Sequence, residues 1–486
     1  MGRDRARIRP GRGLTASVCE GSMVEKSRRF AATTEIQESE MMPAIDRRRF
    51  LQNSAALAAS LSAFEVAANR ARADDVPAEP AKDAKKVGPN DQIRVAIIGV
   101  KGRGLEHIGS YLKLKDARIT TICDVDKNVI GPANKLIRAV YRSEPKYVQD
   151  LRRVLEDPEV DAVSIATPNH WHSLAAIWAC QAGKDVYVEK PVSHNIFEGR
   201  KAVEAARKYK RVVQAGTQCR SHKGIQEAID FLRSGKLGQV YMAKGLCYKA
   251  RGSIGHKPDG PIPEGLDYDL WTGPAELKPF NPNKLHYNWH WIWNTGNGDL
   301  GNQGIHQMDL ARWGLGKTEF PKTVMASGGR YGYKDDGETP NTQSVAFEFD
   351  DALLQFEVRG LATNSELDVK VGDIFYGTEG VLAITSYTDW QTYMGPKLEK
   401  GDGGHGGGDH FANFLQAVRS RDVKSLNGDI EEGHLSSAYC HLGNIAYRLG
   451  RKLHVNPSTE SFVDDAEADA LLTRPYRDGF KVPNVV

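Results

Sequence analysis

The sequence predicts an α/β protein in which a doubly wound parallel sheet is followed by an α+β domain with a large, mostly antiparallel open sheet. Two observations support this fold class. Short apolar segments alternate with helical patterns from about residue 93 to residue 216, and strands separated by short connections dominate after that point. The length of 486 residues is enough for two or three domains with buried cores.

The parallel sheet is predicted from five short segments that are rich in Val and Ile and do not alternate strictly. This pattern is typical of strands that are buried on both faces. The predicted strands are Arg94–Val100, Arg118–Cys123, Ala162–Thr167, Asp185–Glu189 and Val212–Ala215. The predicted helices between them are Leu105–Leu114, Pro132–Tyr141, Val148–Glu156, Leu174–Ala182 and Glu198–Tyr209. Right-handed crossovers of this kind place helices on both faces of the sheet.

The second domain is predicted to begin after Gly216, where the rhythm of the sequence changes. Helices are predicted at Ile225–Arg233 and Ile305–Gly314, and a Gly-, Pro- and Trp-rich connection (Lys249–Gly301) lies between them. The predicted strands are Gln239–Tyr248, Lys322–Ser327, Ser344–Phe349, Leu353–Arg359, Asp373–Tyr376 and Val381–Ile384. Gly401–Gly408 is interpreted as a flexible loop, and Asp409 as the cap of a helix over His410–Arg419.

The positive charge of the chain is concentrated in its first 73 residues. These residues hold 13 Lys or Arg and 8 Asp or Glu, whereas residues 74–486 carry a net charge of −2. Arg47 and Arg48 precede a short apolar stretch (Ala55 to Phe64) and an Ala71-Arg72-Ala73 cleavage pattern. These three parts, in this order, resemble a twin-arginine export signal, which predicts a periplasmic protein.

The predicted domain boundaries follow from these patterns. Residues 1–45 are interpreted as a disordered or untranslated leader, because Met41 and Met42 offer start sites just upstream of the arginine pair. The later segments are a signal peptide (46–73), a linker (74–91), the parallel-sheet domain (92–216), the second domain (217–455) and a C-terminal tail (456–486).

Composition argues against several classes of protein. No run of about 18 apolar residues is present, so a polytopic membrane protein is excluded and no stable membrane insertion is expected. Nucleic acid is not an expected partner, because no basic patch is interleaved with aromatic residues. The five cysteines after the leader are odd in number, lack CxxC spacing and lie mostly in apolar segments, which indicates buried free thiols.

A dinucleotide-binding loop is predicted where the first strand ends, in Gly99-Val100-Lys101-Gly102-Arg103-Gly104. Glycines in such a loop allow a tight turn, a close approach of backbone to pyrophosphate and close packing of the next helix. Lys101 stands at the central fingerprint position, so Gly102 is expected to take over the close approach. Asp124 ends the second strand, where a carboxylate accepts from ribose hydroxyls and repels a 2′-phosphate. The predicted cofactor of this Rossmann domain is therefore NAD, with NADP less favoured.

Two further loops leave the carboxyl ends of predicted strands, where α/β sheets bind ligands: 167–172 (TPNHWH) and 189–193 (EKPVS). With the glycine loop, they resemble the glucose–fructose oxidoreductase, inositol dehydrogenase and MocA family (Gfo/Idh/MocA) over residues 92–455. In that family the Lys of the Glu-Lys-Pro motif contacts substrate and nicotinamide ribose, and its Pro is commonly cis. The resemblance implies that Lys190 is catalytic. The implied cofactor contacts are Gly99, Lys101, Gly102, Arg103, Gly104, Asp124, Thr167, Pro168, Asn169, His172, Glu189, Lys190 and Gln218.

A second family element is a helix that carries an Asp and, four residues later, a His. The corresponding residues here are Asn302 and His306, and an i, i+4 spacing would place both on one face of a helix. By resemblance, His306 is the acid/base residue, because a neutral imidazole can take a hydroxyl proton while hydride leaves the same carbon. Asn302 can hold the imidazole or bind a hydroxyl, but it cannot stabilise an imidazolium as a carboxylate does.

Three tryptophans fall within residues 289–293, and aromatic faces of this kind stack on sugar rings. Core packing or a subunit contact is an equally good interpretation of the cluster. The predicted substrate contacts are Lys190, Trp289, Trp291, Asp299, Asn302 and His306. No metal site is predicted, because neither HExxH nor a comparable ligand spacing occurs.

The predicted function is NAD(P)-dependent hydride transfer at a CH–OH group of a sugar, a polyol or a sugar derivative. A tightly bound, recycled cofactor is expected, because the cell exterior lacks free NAD. Two alternatives stay open: glycoside cleavage through transient NAD-mediated oxidation, and a non-catalytic sugar-binding protein that keeps the fold. Family analogy also implies a homo-oligomer, either a dimer or a tetramer, formed through the outer face of the second sheet.

Overall fold

The computed structural model describes residues 91–486, and all structural statements below refer to this part of the chain. The predicted leader (1–45) and signal peptide (46–73), and the linker as far as residue 90, lie outside the described residues. None of the helices in the described part is long and apolar enough to cross a membrane.

The first sheet has six parallel strands in the order β3-β2-β1-β4-β5-β6, which confirms the predicted doubly wound sheet. The strand order reverses between β1 and β4, and such a reversal opens a crevice at the carboxyl ends of the strands. The strands are β1 (Ile93–Ile98), β2 (Ala117–Cys123), β3 (Lys146–Val148), β4 (Ala162–Ile165), β5 (Asp185–Val188) and β6 (Val213–Ala215).

Five helices connect these strands: α1 (Arg103–Tyr111), α2 (Ile130–Tyr141), α3 (Leu151–Leu155), α4 (Asn169–Gln181) and α5 (Ile196–Lys208). The prediction of a helix from Val148 to Glu156 is wrong at its start, because Val148 belongs to β3. The carboxylate of Asp150 accepts a hydrogen bond from the Arg152 N–H at 2.9 Å, so the helix can begin only after this cap.

The second sheet has ten strands in the order β14-β13-β12-β11-β7-β10-β9-β8-β15-β16. Only the pair β7–β10 is parallel, which confirms the predicted large and mostly antiparallel sheet. The strands are β7 (Val240–Cys247), β8 (Thr323–Gly329), β9 (Thr342–Glu348), β10 (Leu353–Arg359), β11 (Val371–Gly377), β12 (Gly380–Ile384), β13 (Asp389–Met394), β14 (Glu399–His405), β15 (Leu453–Asn456) and β16 (Ser461–Phe462).

The flexible loop predicted at Gly401–Gly408 is wrong over most of its length, because residues up to His405 form the edge strand β14. A Cβ atom on Gly401 would lie 2.8 Å from the Thr392 hydroxyl, and one on Gly403 would lie 2.8 Å from the Trp390 carbonyl oxygen. Glycine therefore allows this strand to approach β13 closely. The following helix is capped by Asp409, as predicted.

Seven helices follow β6 in the chain: α6 (Lys223–Arg233), α7 (Tyr268–Thr272), α8 (Gly298–Asn302), α9 (Gly304–Gly314), α10 (His410–Ser420), α11 (Ile430–Leu449) and α12 (Ala466–Asp469). Among them, α10 packs Phe411 and Phe414 against the first sheet. Short 3₁₀ turns lie at Lys127–Val129, Gln218–Ser221, Pro282–Lys284, Asn288–Trp291 and Val423–Ser425. Helices α9 and α11 bury apolar residues such as Met308 and Tyr439 against the second sheet. The cysteines Cys123, Cys180, Cys219, Cys247 and Cys440 are free and buried, as the sequence indicated.

Residues 456–486, which the sequence suggested as a tail, pack against both halves of the structure. Phe462 belongs to the core of the second sheet, whereas Phe480 and Val482 share an apolar cluster with Trp171 of α4. The rings of Phe480 and Trp171 meet edge to face, with centroids 5.6 Å apart. The chain thus returns to the first sheet after completing the second.

Candidate functional site

A cavity of about 660 Å³ lies at the carboxyl end of the first sheet. Residues that follow β1, β2, β4 and β5 form one side of it. The opposite side comes from the connection between β7 and α8, which contributes a row of aromatic and histidine side chains. The cavity is therefore lined by both halves of the described structure.

The loop after β1 can hold an anionic group on its backbone. Gly99 has a φ of 83°, and a Cβ atom there would lie 2.7 Å from the Ala166 carbonyl oxygen. A Cβ atom on Gly104 would lie 1.9 Å from the Gly99 carbonyl oxygen, so both positions require glycine. Gly102 has a φ of 56° and free space where its side chain would be, directly before α1. This cradle fits a dinucleotide pyrophosphate, with Gly102 at the point of close approach and the exposed Lys101 beside it.

Asp124 lies at the end of β2 and lines the cavity. Its carboxylate accepts hydrogen bonds from the Val100 N–H at 2.9 Å and the Asp126 N–H at 3.0 Å. Burial raises the pKa of Asp124 to about 6, against the opposing effect of these two bonds. The side chain is therefore mostly ionised at neutral pH, as recognition of ribose hydroxyls requires.

Glu189 is buried at the end of β5 and forms the centre of a charged network. Its Oε1 accepts from Arg103 Nε at 2.7 Å and lies 3.0 Å from His107 Nε2. Burial alone would raise the pKa of Glu189, but the charge of Arg103 and the bond to His107 hold it well below its ordinary value. His107 was not predicted as a site residue from the sequence, although its i, i+4 spacing from Arg103 on α1 could have indicated it.

Lys190 follows Glu189, and the Lys190–Pro191 peptide bond is cis, as the family resemblance implied. Its Nζ donates to the backbone carbonyl of Asn302 at 2.9 Å, so the amine connects the first sheet to the end of α8. Burial lowers the pKa of Lys190, while the carboxylate of Glu189 opposes this effect. A lysine with a lowered pKa is a better proton acceptor near neutral pH than an exposed one.

The loop after β4 also reaches the cavity, through Thr167, Pro168, Asn169 and His172. Both ring nitrogens of His172 contact backbone carbonyls, that of Pro191 at 2.6 Å and that of Thr167 at 2.7 Å. The side-chain amide of Asn169 donates to Asn297 at 2.9 Å. These two residues therefore hold neighbouring segments together at the edge of the site.

Gln218 lies outside the cavity lining and acts on Arg103. Its amide satisfies both neighbours when the nitrogen faces the Gly216 carbonyl at 2.6 Å and the oxygen faces the Arg103 guanidinium at 3.2 Å. This predicted cofactor contact therefore lies behind Arg103, which itself lines the cavity.

Asn302 and His306 lie on consecutive short helices, α8 and α9, rather than on one continuous helix. Gln303, at the junction, has its side chain bonded to Lys249 and to Tyr387. Asn302 lines the cavity, whereas His306 does not. The Nδ1 atom of His306 is buried without a partner. Burial, reinforced by the charge of Lys190, holds the pKa of this histidine well below its ordinary value.

Two further predicted substrate contacts, Asp299 and Trp291, also lie outside the cavity lining. Asp299 forms a two-bond ion pair with Arg251, at 2.8 and 2.9 Å. Trp291 is 5% exposed, and the Arg251 guanidinium lies 5.2 Å from its ring centroid. A buried carboxylate needs such a partner, so this pair stabilises the connection instead of facing a ligand.

Trp289, by contrast, lines the cavity and stacks on His290, with ring centroids 3.6 Å apart and planes inclined by 22°. Four other side chains on this wall were not predicted as site residues from the sequence: Trp271, His286, Tyr287 and His290. The sequence shows that this segment is rich in aromatic residues. Their spacing follows neither a helical nor a strand period, so it does not reveal which side chains face the cavity.

The connection closes over the side of the cavity next to Asp124. The Lys127 N–H donates to the Gly265 carbonyl and the Asp267 N–H to the Val125 carbonyl, both at 2.9 Å. His286 Nε2 lies 3.2 Å from the carboxylate of Asp126. Among residues 91–486, no three His, Cys, Asp or Glu side chains are grouped as metal ligands.

Two family models match the chain and cover its two halves. Residues 93–217 match the oxidoreductase family's NAD-binding Rossmann fold, and residues 240–482 match the oxidoreductase family's C-terminal alpha/beta domain. The chain belongs to the Gfo/Idh/MocA oxidoreductase family, whose Rossmann domain binds NAD.

Comparison with curated proteins gives short matches. Glycosyl hydrolase family 109 protein 2 of Shewanella sp. (strain ANA-3) is 35% identical over 163 residues, which cover 32% of this chain and 36% of that protein. The chain thus matches little more than a third of this relative's length.

Two solved structures show the same fold at low identity. WlbA dehydrogenase from Bordetella pertussis, in complex with NADH and UDP-GlcNAcA, has a TM-score of 0.57 at 19% identity and covers 75% of this chain and 99% of its own. Aldose–aldose oxidoreductase from Caulobacter crescentus, complexed with glycerol, has a TM-score of 0.57 at 18% identity and covers 75% of this chain and 100% of its own.

Proposed function

We propose that this protein uses NAD to oxidise and reduce CH–OH groups of a sugar, a polyol or a sugar derivative. The observation that carries the proposal is the position of Lys190, whose amine lies at the cavity beside the glycine loop. NAD supplies a hydride acceptor when bound. Lys190, with its lowered pKa, takes the hydroxyl proton. His306 is the weaker candidate for this role, because it lies outside the cavity lining and its pKa is well below the ordinary value. Asn302 and Trp289 are positioned to contact the substrate.

We infer that NAD is preferred over NADP and is held tightly. The ionised carboxylate of Asp124 would repel a 2′-phosphate. The segment around residues 264–267 is hydrogen-bonded to Val125 and Lys127, just after this carboxylate, and we expect this contact to slow the release of a bound cofactor. This arrangement supports a cofactor that is recycled within one active site.

The test begins with the purified full-length protein, whose absorbance and fluorescence report bound nicotinamide. A panel of aldoses and polyols is then added, and the reduction of the bound cofactor is followed. Reduction by a member of the panel, absent in K190A, supports the proposal. Failure to bind NAD by calorimetry would overturn it and favour a non-catalytic sugar-binding protein.

A second candidate function is glycoside cleavage through transient oxidation, with no net change in the cofactor. It is favoured by the name of the family 109 relative, although the match covers only 36% of that protein. Release of the aglycone from a chromogenic glycoside, with unchanged cofactor absorbance after turnover, would support this function. Oxidised sugar accumulating in proportion to NADH would exclude it.

Export and self-association are further proposals. We propose that residues 46–73 direct the protein to the periplasm through the twin-arginine pathway, and replacement of Arg47 and Arg48 by Lys should then retain the precursor in the cytoplasm. We also propose a dimer or tetramer built on the outer face of the second sheet, where Met325 of β8 is 53% exposed beside the buried Val324. Light scattering of wild type and Met325→Glu tests this assembly.

A further inference from the structure

His290 lies on the cavity wall that faces the glycine loop, and its protonation state follows from one contact. Its Nδ1 lies 2.5 Å from the backbone carbonyl oxygen of Tyr287. A carbonyl oxygen can only accept, so Nδ1 carries the proton. In a neutral ring Nε2 is then an unprotonated acceptor, and His290 is one of the residues that line the cavity.

The ring is neutral and held in place. Burial lowers the pKa of His290 to about 3, and the charges of Lys190 and Arg251 lower it further against the bond to Tyr287. One face stacks on Trp289, and the Thr295 hydroxyl donates to the Trp289 carbonyl at 3.0 Å. A Cβ atom on Gly296 would lie 2.5 Å from the carbonyl oxygens of Trp289 and His290, so the turn packs tightly on this glycine.

We propose that His290 is a specificity-determining residue, whose Nε2 accepts a hydrogen bond from a substrate hydroxyl other than the one that Lys190 deprotonates. This inference rests on the proposed function. It adds the requirement that the substrate carries a free hydroxyl group besides the one that is oxidised. So weak a base cannot remove the reacting proton, but it orients a hydroxyl without the desolvation cost of a charged group. Trp289, stacked beside it, presents an apolar surface to the adjacent carbon atoms.

Two variants distinguish the role of the Nε2 acceptor from the role of the aromatic ring. His290→Phe keeps an aromatic ring next to Trp289 but removes Nε2, whereas His290→Gln restores an acceptor oxygen. The probes are the best aldose or polyol of the panel and its monodeoxy analogues. We expect kcat/KM of H290F for the full substrate to fall by about 10-fold, the value of one neutral hydrogen bond. For the deoxy analogue that lacks the hydroxyl bound by Nε2, H290F and the wild type should have equal kcat/KM. With the full substrate, H290Q should recover part of the kcat/KM that H290F loses.

Other outcomes overturn the inference. An equal loss for every analogue would mean that the ring has only a structural role, and a weakened NAD affinity would assign Nε2 to the cofactor. If the wild type oxidises no member of the panel, the proposed function fails, and calorimetry of polyol binding to the NAD-loaded protein takes the place of kinetics. Weaker binding by H290F would then still support the inference, whereas equal binding would refute it.

Discussion

The carboxyl edge of the first sheet and the connection between β7 and α8 line the same cavity by different structural means. At the sheet edge, short loops project from strand ends, and each functional residue is fixed by its position next to a buried strand. In the connection, few residues belong to regular elements, and buried pairs such as Arg251–Asp299 hold the chain in place. We propose that cofactor binding and proton transfer belong to the first region and substrate choice to the second.

The sharpest test of this division is Lys190→Ala. We expect kcat to fall by about 10³-fold, within the range for loss of an acid–base group, while NAD stays bound because the glycine loop is untouched. Single-turnover kinetics and nicotinamide fluorescence measure the two effects. Lys201→Ala, which removes a local pair with Glu204 and a contact with the Phe197 ring, is the matched control and should behave as the wild type in catalysis and NAD binding. If K190A lost NAD affinity by as large a factor as it lost kcat, Lys190 could not be assigned to proton transfer separately from cofactor binding.

Within the connection, Trp291→Ala and Trp289→Ala should separate stability from substrate binding. Trp291 is buried, so its truncation should lower the free energy of unfolding by about 3–5 kcal/mol. Trp289 lines the cavity, so its truncation should raise KM for the sugar with a smaller loss of stability. Denaturant unfolding and steady-state kinetics check this pair. A larger stability loss for Trp289→Ala would contradict the placement of the two rings.

The glycine loop is tested by Gly104→Ala, with Gly109→Ala as its control on the same helix. A methyl group at Gly104 collides with the Gly99 carbonyl, and the overpacking should cost about 1–3 kcal/mol and weaken NAD binding about 10- to 100-fold. The space around Gly109 is free, so alanine there should leave NAD binding unchanged. Calorimetric titration with NAD gives both affinities, and similar values for the two variants would refute the loop assignment.

The smallest expected effect concerns the choice between NAD and NADP. Because the pKa of Asp124 is raised to about 6, the carboxylate is charged above this pH and becomes protonated below it. The preference for NAD should therefore decrease by about 10-fold as the pH falls from 7 to 5, since charge repulsion of the 2′-phosphate is lost. In Asp124→Asn the ratio should be lower at pH 7, and any remaining change with pH reports the 2′-phosphate itself, whose second pKa is about 6. The same pH dependence in the wild type and in Asp124→Asn would count against this role of Asp124.

Much of the first region could be predicted from the sequence because its signals are local. The glycines of the loop, the strand-terminal Asp124 and the Glu189-Lys190-Pro191 motif each follow a recognisable apolar segment. Strand β3 was missed, since three partly exposed residues carry no such pattern. His107 was missed because its partner Glu189 lies 82 residues away in the sequence.

Prediction was weaker in the second region because burial there depends on distant pairs. Asp299 was predicted to contact a substrate, but its carboxylate is paired with Arg251, which lies 48 residues earlier in the sequence. Trp289 and Trp291 are indistinguishable by sequence, yet a 3₁₀ turn directs one to the cavity and the other to the core. The edge strand β14 was mistaken for a loop because its glycines signal close packing as well as flexibility.

The contact of Phe480 and Val482 with α4 has a consequence for biosynthesis. During translation the first sheet is complete once β6 has been made, but the apolar surface around Trp171 is covered only in part by Leu270 and Trp271 until Phe480 and Val482 have been synthesised. A nascent chain would therefore carry a partly exposed apolar surface through most of its elongation, which favours association with chaperones. Premature termination just before residue 480 would leave that surface partly exposed permanently and should yield aggregated protein.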